Sequence, residues 1–334
     1  MMMSIGDLAR GLALQRQTGA LKRDVQRLTA ELASGRTADP ARRVGADVSI
    51  IAGLDNALAR LAGTRAALAE ADRTTAAMQG ALASLGTAAE GVFGQIASLG
   101  PDPGENAVAR AAQEASDRFV AALGAINARD AGRALFAGAA LDGAAVTDAA
   151  SIFAAVQAAV ALSGATTAEG IADAVADWFD APAGYAASAY LGSDVPRGPL
   201  PAGAGGPISL DLDARDPAFR RTLAGLAMAA LAGAPPAAGA TGAALLTRAA
   251  TALAEAAASR ADAAGRLGRI EARIAEATGA SAAEANTLDI ARAQLLEADP
   301  FATATALEAA QRQIETLYAV TARVSRLSLA DFLR

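Results

Sequence analysis

Three aspartates set close together, Asp211, Asp213 and Asp216 in "DLDARD", come nearest in this sequence to an arrangement that could bind a metal. Alternate carboxylates in a loop supply the hard oxygen ligands that calcium takes, and a twelve-residue calcium loop places them at its first and third positions. Such a loop also turns on a glycine at its sixth position and closes with a glutamate at its twelfth. Counted from Asp211, those positions hold Asp216 and Thr222, so no metal ligand is assigned. The run "ISLDLDA" at 208–214 alternates apolar and acidic residues and reads as a half-exposed strand entering a turn. "GAGGP" at 203–207 has glycines suited to a phosphate cradle but lacks the downstream Lys and Ser/Thr, and reads as a flexible connector. Arg42 and Arg43 fall in an expected first helical turn, where cations oppose the helix dipole. They are a candidate contact for an acidic surface, with a solvated turn as the plainer reading.

Composition narrows the chemistry further. The chain has no Cys and no His, and Lys22 is its single lysine. Thiolate and imidazole metal sites, Ser-His and Cys-His nucleophile pairs and the usual general base near neutral pH are therefore excluded. Carboxylate chemistry remains, but no acid, base and nucleophile constellation is visible, and the expectation is a protein that is not an enzyme and holds no cofactor. A net charge of -6, from 29 basic and 35 acidic residues, argues against nucleic acid as a partner. No window approaches the ~18 consecutive apolar residues that a membrane span needs. Asp7 and Arg10 interrupt what would be the apolar core of a signal peptide, so no cleaved leader is expected.

The elements that would carry any site are helices. Alanine supplies most of the 53% hydrophobic content and aromatics only 4%. Alanine favours helix while burying little area, which points to long, thinly packed helices. Leu21, Val25, Leu28 and Leu32 recur at intervals of three and four, with Leu8 and Leu12 upstream. Leu317, Val320, Val324 and Leu327 do the same near the other end, and Leu329 and Phe332 keep that segment apolar. Asp39-Pro40 and Asp299-Pro300 each read as a helix cap followed by a first helical residue, and the two breaks are placed nearly as mirror images. A long helix is expected after the first break, with Thr75, Met78, Leu82, Leu85, Ala89, Val92, Ile96 and Leu99 on its buried face. "GPDPGEN" at 100–106 ends it, and a further helix from about 106 to 129 folds back antiparallel. A helix from about Thr241 then runs to Leu295, with Gly279 a weak point.

Between about 140 and 235 the texture changes. Seven of the twelve prolines lie at 196–236, and Trp178 sits near Phe179, Tyr185 and Tyr190. "FRRTLAGLAMAALAG" at 219–233 reads as a helix. The expected fold is thus mainly α: a long antiparallel helical hairpin or coiled-coil rod built from both chain ends, with a small mixed α/β insert at its tip. The terminal coiled-coil segments are 1–39 and 300–334, the helical rod is 40–140 and 240–299, and the outer domain is 141–239. Two paired helices of about 35 residues, roughly 50 Å long, offer each other one thin seam and leave much apolar surface wet. That favours burial between molecules over a closed pair within one, and predicts ends that are largely disordered in the free monomer.

These residues resemble the flagellin family of bacterial axial proteins, most closely its hook-associated branch, over roughly 5–140 and 240–334. "RLTAELASGRTADP" at 27–40 is similar to the family's turn, with Ala33-Ser34-Gly35-Arg36 where Ser-Ser-Gly-Lys or Ser-Ser-Gly-Arg is usual. "NARDAGRALFAG" at 127–138 resembles the Leu-Phe-x-Gly segment leading out of the helical rod, although Ala134 replaces the usual aromatic. Ser328-Leu329-Ala330-Asp331-Phe332-Leu333 resembles a Ser-Leu-x-x-Tyr/Phe-Leu terminus. Arg42 and Arg43 stand where the family has an acidic pair. The resemblance implies a secreted structural subunit of the bacterial flagellum, stacked in a ring between hook and filament and exported by the type III route. Its partners would be further copies, neighbouring hook-associated and flagellin subunits, and an export chaperone. The implied assembly interface comprises Leu8, Leu12, Leu21, Val25, Leu28, Leu32, Leu317, Val320, Val324, Leu327, Leu329 and Phe332. A filament flagellin, and a helical signalling or scaffold hairpin, remain as alternatives.

Overall fold

The computed structural model describes residues 5–43, 48–199 and 206–332. Ten helices appear among them: α1 (Ile5–Ser34), α2 (Pro40–Arg43), α3 (Ser49–Ala97), α4 (Glu105–Ile126), α5 (Ala149–Ser163), α6 (Ala168–Asp180), α7 (Tyr185–Ser188), α8 (Pro217–Leu231), α9 (Ala240–Leu296) and α10 (Pro300–Phe332). One two-stranded antiparallel ribbon, β1 (Arg129–Asp130) and β2 (Arg133–Ala134), pairs Arg129 with Ala134 and Asp130 with Arg133. The fold is mainly α, as the alanine content requires. The chain divides into two compact units, residues 1–61 with 282–334 and residues 62–281.

In the unit 62–281 the core follows the three-four spacing. Thr75, Met78, Leu82, Leu85, Ala89, Val92 and Ile96 of α3 are all buried, and Leu99 beyond its end is half-buried. After the Pro-Gly break, α4 returns with Val108, Ala111, Ala115, Phe119, Leu123 and Ile126 inward, and packs on α8. The helix ends are capped by short side chains, which satisfy backbone N–H groups that lack a helical partner. Asp148 accepts from Ser151 N at 2.9 Å, Thr167 from Gly170 N at 3.2 Å, and Asp216 from Ala218 N at 2.9 Å. Asn127, at the end of α4, clamps Val146 by donating to its carbonyl at 3.0 Å and accepting from its N–H at 2.9 Å.

The "LFAG" segment is where several strips of chain are pinned together. Leu135, Phe136 and Ala137 are buried, with the Phe136 ring 4.7 Å from that of Phe219 in α8. Phe136 O accepts from Ala214 N at 2.9 Å, and Ala137 O accepts from Ser193 N at 3.0 Å. Gly138 adopts φ 60°, and a Cβ there would stand 2.6 Å from Ser193 O. Trp178, Phe179 and Tyr185 cluster as expected, with ring centroids 4.9 and 5.5 Å apart along the chain.

Three expectations change. Residues 208–214 keep the predicted alternation, with Ile208, Leu210, Leu212 and Ala214 buried, but they form no strand. Helices bury part of the apolar side: Ile208 packs with Leu68, Ala71, Ile274 and Ala277. α9 runs unbroken through Gly279, which one glycine in a long helix tolerates. The helix begun at Pro40 is only α2, and α3 starts afresh at Ser49; residues 44–47 between them lie outside the described residues.

Candidate assembly surface

In the unit that holds both ends, the two Asp-Pro breaks meet. Gly35 ends α1 at φ 66°, a left-handed conformation that glycine adopts without strain. Arg36 and Glu297 then form an antiparallel bridge, with Thr37 N donating to Leu296 O at 2.9 Å and Ala298 N to Gly35 O at 3.0 Å. Asp299 caps α10 by accepting from Phe301 N at 2.9 Å and Ala302 N at 3.1 Å. Glu31, which the apolar count passes over, is buried, accepting from Ala38 N at 2.9 Å and from Arg27 at 3.2 Å. Its place three residues after Leu28 was the available signal.

From these anchored breaks α1 and α10 run antiparallel and pack together. The expected interface residues divide in two. Leu21, Leu28 and Leu317 are buried within the chain, beside Thr303 and Ala310, and Val25 is half-buried. Leu12, Leu32 and Val320 are exposed, at 46%, 41% and 47%. Leu8, Val324, Leu327, Leu329 and Phe332 belong to α1 and α10, but their side chains lie outside the described residues, as do those of Arg42 and Arg43. Sequence reasoning missed Phe301, 82% exposed at the start of α10, together with Tyr318, whose ring faces the Lys22 ammonium at 5.9 Å. Of the thirteen large hydrophobic residues exposed among the described residues, eight are in this unit: Leu12, Leu32, Val48, Ile50, Ile290, Phe301, Tyr318 and Val320. The unit comprises about a third of the chain, so apolar exposure is concentrated there. Beside the paired breaks lies a groove of about 520 Å³, with Asp24, Asp39, Glu297 and Asp299 on its rim and Ala302 and Ala306 along it.

Two of the three aspartates that suggested calcium serve the fold instead. Asp216 caps α8 and pairs with Arg266, Asp213 pairs with Arg215 at 2.7 Å, and Asp211 is exposed. Of the glycine-rich connector at 203–207, residues 203–205 lie outside the described residues and Gly206 and Pro207 within them. Among the described residues no helix is long and apolar enough to cross a membrane.

The chain is thus mainly helical, and the unit that holds α1 and α10 pairs them and exposes apolar side chains. Comparison with known proteins adds to this description. Residues 250–333 match the protein-family model described as bacterial flagellin C-terminal helical region, which takes in most of α9 and α10. The fold is similar to the solved structure of a Vibrio parahaemolyticus protein described as a flagellar hook-associated protein, at 13% identity and a TM-score of 0.52. That similarity covers 75% of this chain and 96% of the other. No curated protein matches the chain in sequence.

Proposed function

We propose that this chain is a structural subunit of the bacterial flagellum that self-assembles through α1 and α10 and stands at the junction of hook and filament. The observation that carries the reading is the coincidence of two facts. The segment that matches the flagellin C-terminal helical region contributes α10, and the unit containing α10 holds eight of the thirteen large apolar residues exposed among the described residues. A concentration of exposed apolar side chains in one part of a folded chain is what a binding surface for another molecule would present. Leu12, Leu32 and Val320 are covered by neighbouring copies, while Leu21, Leu28 and Leu317 hold each copy's own helix pair together. Neighbouring subunits are hook-associated proteins on one side and flagellin on the other, and the chain reaches them by type III export, with an export chaperone holding the terminal segments beforehand.

Hydrogen exchange tests the assembly step. Dilute monomer should exchange faster over 5–34 and 300–332 than over the core of 62–281, because the α1–α10 pair opens more readily than that core, and the assembled protein should protect both segments. Strong protection of both in monomer would identify a closed coiled-coil pair and remove the need for a partner. Immunogold labelling of flagella tests the position: label confined to one point next to the hook supports the junction, and label along the filament assigns the chain to the filament itself.

A further inference from the structure

Arg260 of α9 is 92% shielded from solvent, being 8% exposed, and makes one hydrogen bond, from Nη1 to Thr222 Oγ1 at 3.0 Å. It forms no ion pair among the described residues. Proteins rarely keep a guanidinium so buried without a carboxylate, because the desolvation cost of a charge is recovered only by an opposite charge and full hydrogen bonding. Thr222 does not depend on the arginine, since its hydroxyl already donates to Ala218 O at 2.7 Å. Nor does the packing of α3 exclude it: a Cβ on Gly86 would stand 3.9 Å from Arg260 Nε, so the side chain lies along a part of α3 kept bare by glycine.

The guanidinium borders a groove of about 270 Å³ between α3 and α9. Phe93, 43% exposed, and Leu253 form its apolar part, and Glu90 also lines it without forming an ion pair with Arg260. Burial pushes the Arg260 guanidinium below its ordinary value, and Glu90 opposes this only at a distance. The site is thus a buried cation with donors left over, opening beside an exposed aromatic ring.

We propose that this groove receives an acidic side chain of a second copy of the chain, its carboxylate on Arg260 and its alkyl stem against Phe93. The proposal rests on the self-assembly reading above and adds to it a contact outside the terminal helices. The occupant's charge is set by the unpaired guanidinium, and a chain of net charge -6 carries a surplus of carboxylates to supply it. An arginine fork is suited to bidentate recognition of a carboxylate, which gives the contact a defined geometry as well as attraction.

The full-length protein tests this through three variants, Arg260→Met, Glu90→Gln and Phe93→Ala, with thermal unfolding and sedimentation velocity as paired readouts. Arg260→Met should unfold at the wild-type temperature or above, because it removes a buried charge and leaves Thr222 satisfied, while self-association weakens tenfold or more. Phe93→Ala should weaken association without lowering the unfolding temperature, and Glu90→Gln should change neither. Lowered unfolding temperatures in both Arg260→Met and Glu90→Gln would show that those two residues serve each other inside one chain and would overturn the proposal. Wild-type association by Arg260→Met would overturn it as well. A rise in unfolding temperature on adding free glutamate, with association unaffected, would assign the groove to a small anion instead. If the wild-type chain does not associate at any concentration, the self-assembly reading falls too, and that result is distinct from loss in the variant alone.

Discussion

Gly138 shows how one residue controls several strips of chain. Its φ of 60° and the 2.6 and 2.8 Å approaches that a Cβ would make to the carbonyls of Ser193 and Val195 leave no room for a side chain. Gly138→Ala should destabilise the protein by about 2 kcal/mol or more in urea unfolding, since backbone rather than a flexible side chain must move. Tyr190 nearby makes a pH prediction. Its hydroxyl donates to Ser193 O at 3.0 Å, the Arg215 guanidinium covers its ring at 4.7 Å, and burial pushes its pKa from 10.0 up to about 12. An acid whose folded value is raised is neutral in both states below its unfolded value. Stability is therefore fully present below about pH 10 and is lost as pH rises through about 12. Thermal unfolding across that range should show the loss, and Tyr190→Phe should reduce it. Sequence spacing marked "LFAG" as a special segment, but the strips that converge on it are more than fifty residues away in the chain, and nothing local in Gly138 names them.

Among the elements, legibility followed contrast. The buried face of α3 was readable because Leu, Met, Ile and Val stand out at every third or fourth place, and the break at 100–104 was readable because proline and glycine cannot continue a helix. α5 and α6 were not separated by the same means. In "AASIFAAVQAAVALS" alanine occupies half-buried and exposed positions alike, so only Ile152, Val156 and Val160 carry the periodicity. Residues 208–214 teach a different lesson: alternation reports one buried side of an extended chain and does not say whether a strand or a pair of helices buries it. Two substitutions test the helix pair of the terminal unit. Asp299→Ala, which removes the acceptor for two N–H groups at the start of α10, should cost about 1 kcal/mol, and Leu28→Ala about 2 to 4 kcal/mol, both read from chemical unfolding of the monomer. Leu12→Ala, at an exposed position, should leave that unfolding within about 0.5 kcal/mol of wild type and weaken assembly.

For the whole molecule, the mirrored Asp-Pro breaks were the most informative feature of the sequence, because they placed two segments together that are separated by almost the full chain. The structure joins them backbone to backbone. What the sequence could not supply was the division of the apolar stripe: leucines at one helical spacing go both to the partner helix, as Leu28 does, and to the surface, as Leu32 does. Residues 62–281 carry their own core, so deleting 1–38 and 300–334 should leave a monomer that unfolds cooperatively and does not self-associate. A large loss of cooperativity in calorimetry would place the ends in the monomer's core.

The bridge between Arg36 and Glu297 also sets an order of events in time. α1 is made well before α10, so the residues that close its end and bury Leu21 and Leu28 follow it by more than two hundred positions in the chain. Loop closure over so long a separation is slow compared with helix formation, so a nascent chain presents α1 bare until α10 has been made. Protease applied during synthesis should therefore cut α1 readily until α10 emerges, whereas the folded body between them is already resistant.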